Sequence, residues 1–282
     1  MSMKSQKTAA ALAGLTLAFA VGGQALAQAP AVPLNAYYAD AEHAPLGGYW
    51  RPAFGAGPIF MVDGKPLPLH DAKGHQAGFP YKPAWRKVVA ARYAADDKGK
   101  PYGDPANSCW PAGIFADYLV ADPNGMELIQ TPGRLEIAFE TPSVRWIFYD
   151  GREHPTGEDV PYTGKGHSIG HWEGDTLVVD TINVRSEFTF GFNLPHSDKE
   201  RFTERFKRID ADTLQIDVTF TDPVALTKPV STTLIYKKAD PASIREKLGI
   251  EEHWPVKVGP DLVLGPYGKP RKRYGFDLPD PH

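Results

Sequence analysis

From Met126 to Tyr236 the chain breaks into short runs rich in Val, Ile, Thr and aromatics, separated by turn clusters. No other feature restricts its fold as much. The runs are Met126–Thr131, Arg134–Glu140, Arg145–Asp150, His167–Trp172, Thr176–Val184, Arg201–Ile209, Thr213–Thr221 and Ser231–Tyr236. Turn residues such as Pro132-Gly133, Glu173-Gly174-Asp175 and Asp210-Ala211-Asp212 stand between them. No helical pattern in this stretch is long enough for a parallel crossover. The pattern therefore predicts an all-β fold, an antiparallel meander closing into a barrel or sandwich. Alternation is cleanest in Thr213–Thr221, where Leu214, Ile216, Val218 and Phe220 share one face. Glu204 and Arg205 are adjacent and must point to opposite faces, so one of these charges is expected inside with a partner. The face taken by Asp180 is left open, because Val178 and Val179 are both apolar.

The flanks read differently. Residues Met1–Ala27 have a basic start, an apolar run and an Ala25-Leu26-Ala27 site, the order of a cleavable secretory leader. The expectation is export to the periplasm, with no stable membrane insertion after cleavage. Residues 28–125 are broken by recurrent Pro and Gly and read as an irregular extension packing on the barrel. Pro83–Ala95 is its one good helix, with Trp85, Val88, Val89 and Tyr93 on a face. Barrel residues 126–238 follow, then a C-terminal strap, 239–282, with a short helical stretch at Ser243–Leu248. A net charge of −3 gives no reason to expect a nucleic-acid partner. The single cysteine, Cys109, excludes an internal disulfide and lacks a basic neighbour that would activate it.

In a pure meander the connections alternate between ends. The tight links at 141–144, 173–175 and 210–212 are then expected at one end. The long links at 151–166, 185–200 and 222–230 would form a mouth at the other, where a barrel of this size can hold one small ligand. These loops carry two histidines, several carboxylates and aromatics. His154 and His196 are the expected acid and base, with Asp150 and Asp222 orienting them. Arg152 is expected to bind an oxyanion or carboxylate, and Tyr162, Trp172, Phe190 and Lys228 to line the substrate pocket.

Three apparent motifs point elsewhere. Gly166-His167-Ser168-Ile169-Gly170 fits the G-x-S-x-G pattern, but it runs into a strand and hairpin rather than a helix, which excludes a nucleophile elbow at Ser168. His167 and His171 would stand about 13 Å apart on a strand, too far to share a metal ion. His70, Asp71 and His75 read as a Gly-rich surface loop rather than a metal site. Trp146, Tyr149 and Trp172 read as core or cross-strand packing.

Several segments resemble an uncharacterised family of exported Gram-negative bacterial proteins. They are Gln130-Thr131-Pro132-Gly133, Asp150-Gly151-Arg152-Glu153-His154-Pro155, the run from Ser168 to Thr181, Pro195-His196-Ser197, Glu204-Arg205-Phe206 and Thr227-Lys228-Pro229. Gly170-His171-Trp172 within a meander is also similar to lipocalin-like barrels, which include carriers and a few hydratases. The resemblance therefore implies a barrel but no particular activity. The expected function is cofactor-independent acid–base chemistry on a small apolar or aromatic molecule, of hydratase, dehydratase, isomerase or lyase type, with no metal. A non-catalytic periplasmic carrier of a small hydrophobic ligand is the alternative, and a structural protein with a filled lumen is a third.

Overall fold

The computed structural model describes residues 40, 42–53, 57–68, 71–100, 113–119, 125–139, 143–157, 160–187 and 194–240. The expected leader, Cys109, His70, Phe190 and the expected strap beyond residue 240 lie outside the described residues. Among the described residues no helix is long and apolar enough to cross a membrane.

The alternating runs become strands β4 (Met126–Thr131), β5 (Arg134–Phe139), β6 (Ser143–Phe148), β7 (His167–Glu173), β8 (Thr176–Ile182), β9 (Arg201–Asp210), β10 (Thr213–Thr221) and β11 (Val230–Lys238). A further strand, β1 (Gly48–Pro52), pairs with β11 on one side and β4 on the other and closes the barrel at nine strands. The barrel is thus not confined to 126–238. Its closing strand comes from the extension that reads as irregular. A small hairpin, β2 (Met61–Val62) with β3 (Lys65–Pro66), adds to β11 outside the ring.

All the ring pairings are antiparallel except one. β6 and β7 run parallel, with Ile147 opposite Ser168 and Phe148 opposite Ile169. This changes the connections. The 149–166 segment leaves one end of the barrel and enters β7 at the other, so it belongs to no single mouth. The turns at 132–133, 174–175 and 211–212 share one end. β5 meets β6 at the opposite end, together with the 183–200 and 222–229 connections.

Strand alternation sends one row of side chains inward. On β10 these are Leu214, Ile216, Val218 and Phe220, all fully buried. Leu128, Leu135, Ile137, Ile147, Leu177, Val179, Phe206 and Leu234 join them from neighbouring strands, and each such side chain contributes about 1.5–3 kcal/mol. Helix α2 (Ile114–Leu119) plugs the loop end: Phe115 meets Phe220 edge-on at 4.6 Å, and Phe60 packs against both. Helix α1 (Pro83–Asp96) starts with Pro at its first turn and buries Trp85 and Arg92, with Val89 and Tyr93 partly packed on the core. Among the described residues the inward side chains are inaccessible to water, so that part of the interior is packed.

One charged pair sits inside. Glu204 points inward and Arg205 outward, which resolves the pair left open by the sequence. Arg145 comes from β6 and donates Nη1–H to Glu204 Oε1 at 2.8 Å; its Nη2 contacts Oε2. Tyr118 of α2 donates to Glu204 Oε1 at 2.9 Å and accepts from Arg145 at 3.0 Å, while Ser168 and Thr181 take the remaining guanidinium donors. Burial opposes the charge on Arg145, but Glu204 beside it holds the proton more tightly than usual. Ser168 is thereby a buried strand residue with its hydroxyl engaged. Trp146 does not join the core: it faces outward from β6 and is 54% exposed.

Candidate functional site

The 149–166 crossover runs over the outer face of β6 to β8. Its exit is shaped by Gly166, which has φ +61; a Cβ there would strike the Ile182 carbonyl oxygen. Only glycine suits that position. The crossover then delivers His154 to outward-facing residues of two strands. His154 Nε2 lies 2.9 Å from Asp180 Oδ2 on β8, and His154 Nδ1 lies 2.9 Å from His167 Nδ1 at the start of β7. Arg201, at the start of β9, grips both Asp180 oxygens with Nε and Nη2. His154 and Asp180 are mostly but not wholly covered, with side chains 15% and 22% exposed.

The chemistry of the partners assigns the protons. An ionised carboxylate only accepts, so His154 carries its proton on Nε2. In the neutral form of His154 its Nδ1 accepts, and His167 Nδ1–H donates. His167 Nε2 is left as a bare lone pair, with no hydrogen-bond partner among the described residues. Burial, with His154 and Arg152 nearby, holds the His167 pKa below the ordinary 6.5. The chain Asp180–His154–His167 therefore ends in a neutral imidazole near neutral pH. Around it Phe148 lies beside the His167 ring at 6.3 Å, and the Arg152 guanidinium sits 3.7 Å over Phe148.

The other expected site residues are dispersed. His196 does not share a space with His154. It is buried, with Nδ1 at 2.9 Å from Glu200 Oε2 and 3.0 Å from the Ser197 carbonyl oxygen. Burial works against its charge, yet the Glu200 carboxylate prevails and raises its pKa to about 9. An enclosed imidazolium that stays charged near neutral pH suits a structural tie rather than a proton-transfer group. Asp150 orients neither histidine; it pairs with Arg152, which holds its carboxyl below the usual range. Asp222 orients neither histidine as well. It accepts from Ser197 N at 2.7 Å, Ser197 Oγ at 2.8 Å, Val224 N at 3.0 Å and Ala225 N at 2.9 Å, and so fastens the two long loops together.

Of the expected binding residues, Lys228 lines a cleft beside Asp222, and the Tyr162 hydroxyl neighbours Lys199 on the rim of that cleft. Trp172 lies toward the turn end, stacked on His43 at 4.8 Å and edge-on to Tyr149 at 5.9 Å. Phe190 falls outside the described residues.

Sequence reasoning missed the grouping of His167, Asp180 and Arg201 around His154. Period-two reading of β8 with Val179 and Thr181 inside places Asp180 outside, but two successive valines blurred that signal. His167 pairs in sequence with His171, four residues along the same strand, and nothing local announces His154 crossing above it. Among the described residues no three side chains are grouped to hold a metal ion. Comparison with protein-family models, with curated proteins and with solved structures finds no match to this chain.

Proposed function

We propose that the protein is an exported enzyme that performs cofactor-independent acid–base chemistry on a small molecule, with His167 as the catalytic base. Its Nε2 takes a proton from the substrate. The Nδ1 proton of His167 moves to His154 Nδ1, and Asp180 stabilises the His154 imidazolium that results. Return of the proton along the same path completes a dehydration, isomerisation or elimination. His154 and Asp180 are positioning residues; neither needs to touch the substrate.

The observation that supports this reading is the Asp180–His154–His167 chain ending in a half-buried imidazole whose pKa lies below the ordinary value. A positioned imidazole of this kind contributes roughly 10²–10⁴-fold to rate. The carrier alternative calls for an apolar cavity, and among the described residues the inward-facing side chains are sealed.

The test is deuterium incorporation from D₂O into a panel of small ketones and β-hydroxy acids, followed by proton NMR. The expected result is exchange that falls about 10²–10⁴-fold in His167→Asn and declines with acid below pH 6.5. Exchange equal in wild type and His167→Asn, or absent throughout the panel, counts against the assignment.

A further inference from the structure

Arg201 has a second neighbourhood. The segment leading into β9 and the 222–229 connection enclose an open cleft of about 540 Å³, and Arg201 is part of its wall. That volume lies within the roughly 300–1,000 Å³ usual for small-molecule sites. Lys199 and Lys228 bring two more cations to the wall, and Pro223, Leu226 and Pro229 supply apolar surface. The acids that pair with these cations, Asp180, Asp198 and Asp63, lie outside the lining. The one acid within it, Asp222, is buried and has its charge met by three backbone N–H groups and the Ser197 hydroxyl. The cleft therefore sets three cations, each paired with an acid outside the lining, around an apolar wall. Lys199 and Lys228 are each about half exposed; Lys199 pairs with Asp198 and the Tyr162 hydroxyl, Lys228 with Asp63, and such surface contacts are weak and readily exchanged for a ligand anion. Arg201 makes the cleft contiguous with the proton chain, since the same guanidinium that lines it also grips Asp180.

We propose that this cleft binds a small organic anion, a carboxylate on an apolar body. The anionic group anchors at Lys199, Arg201 and Lys228, and the apolar body packs on Leu226 and the two prolines. Long-range attraction to the same cations speeds encounter and makes it salt-sensitive.

The experiment is calorimetric titration of the full protein with naphthoate and, separately, with uncharged naphthalenemethanol. The acid is expected to bind at least about tenfold more tightly than the alcohol, and more weakly as salt is added. Lys199→Gln combined with Lys228→Gln is expected to weaken naphthoate roughly tenfold and leave the alcohol unchanged. Both lysines are surface residues, and an unchanged thermal melt confirms that the variant folds. Equal affinity for acid and alcohol, no loss in the double variant, or no binding of naphthoate overturns the proposal. His167→Asn separates this from the catalytic reading, because His167 does not line the cleft. Binding retained with exchange independent of His167 defeats the catalytic reading alone; exchange dependent on His167 without naphthoate binding defeats the cleft alone.

Discussion

His154 and His167 meet through their Nδ1 atoms at 2.9 Å, so two imidazoles hold one proton between them on the outer wall of the barrel. The arrangement works only while the pair carries a single shared proton. A second proton places donors face to face and breaks the contact.

This sets the expected titration. The folded pKa of His167 lies below its unfolded value of 6.5. Its contribution to stability is present above pH 6.5 and is lost as pH falls through the folded pKa, because the unfolded chain then binds the proton more readily. Proton NMR of the imidazole is expected to show a midpoint below 6.5 that rises when His154 is replaced by Asn. A midpoint above 6.5 in the native protein contradicts the shared-proton geometry.

His196 has the opposite sign. Its folded pKa of about 9 exceeds the unfolded 6.5, so its stabilisation is complete below pH 6.5 and is lost as pH rises through about 9. Glu200→Gln removes the buried counter-charge and is expected to cost about 3–5 kcal/mol near neutrality. Urea unfolding from about pH 6 to about pH 10 is expected to show the gap between wild type and Glu200→Gln closing with alkalinity. A gap independent of pH disproves the ion pair.

Inside the barrel, Glu204→Gln leaves the Arg145 guanidinium buried without its countercharge. The expected loss is about 3–5 kcal/mol, read as a shift in the urea midpoint at constant slope. Arg145→Met with Glu204→Leu is expected to be less damaging than the sum of the single changes, since neither charge is then stranded. Additive losses mean that the two side chains act independently.

Gly166→Ala tests how the crossover reaches His167. The left-handed backbone alone disfavours a side chain by about 1–2 kcal/mol, and the clash with the Ile182 carbonyl adds to it. The variant is expected to unfold earlier, and the His167 midpoint to return toward 6.5 as the contact with His154 loosens. A variant as stable as wild type excludes the strained exit.

The legible part of the fold was the part carried by local alternation. All eight runs from Met126 to Tyr236 became strands, and Leu214, Ile216, Val218 and Phe220 turned inward together. β1 was not legible: Gly48–Pro52 is five residues long, bounded by Gly and Pro, and becomes a strand only because β4 and β11 offer open edges on both sides. The parallel β6–β7 pair was hidden for a similar reason. A 16-residue link between strands reads the same whether it turns back at one end or crosses to the other.

The candidate site suffered more from this than the fold did. His154 and His196 were grouped because both lie on long connections, and that grouping required the connections to share an end. Once 149–166 crosses the outer wall, His154 meets His167 and Asp180, while His196 falls into a buried ion pair. Asp150 and Asp222 likewise found other partners, Arg152 and Ser197.

By itself the sequence determined that side chains alternate between the two faces of each strand, and on Thr213–Thr221 which of them turn inward, because a strand's side chains alternate with a period of two whatever surrounds them. It also determined the turns, because Gly, Pro, Asn and Asp restrict the backbone locally. Only the tertiary structure decided which outward residues stand together. Asp180, His154, His167 and Arg201 come from three strands and a crossover, and their proximity depends on strand direction and register, which are properties of the closed ring and of no single segment.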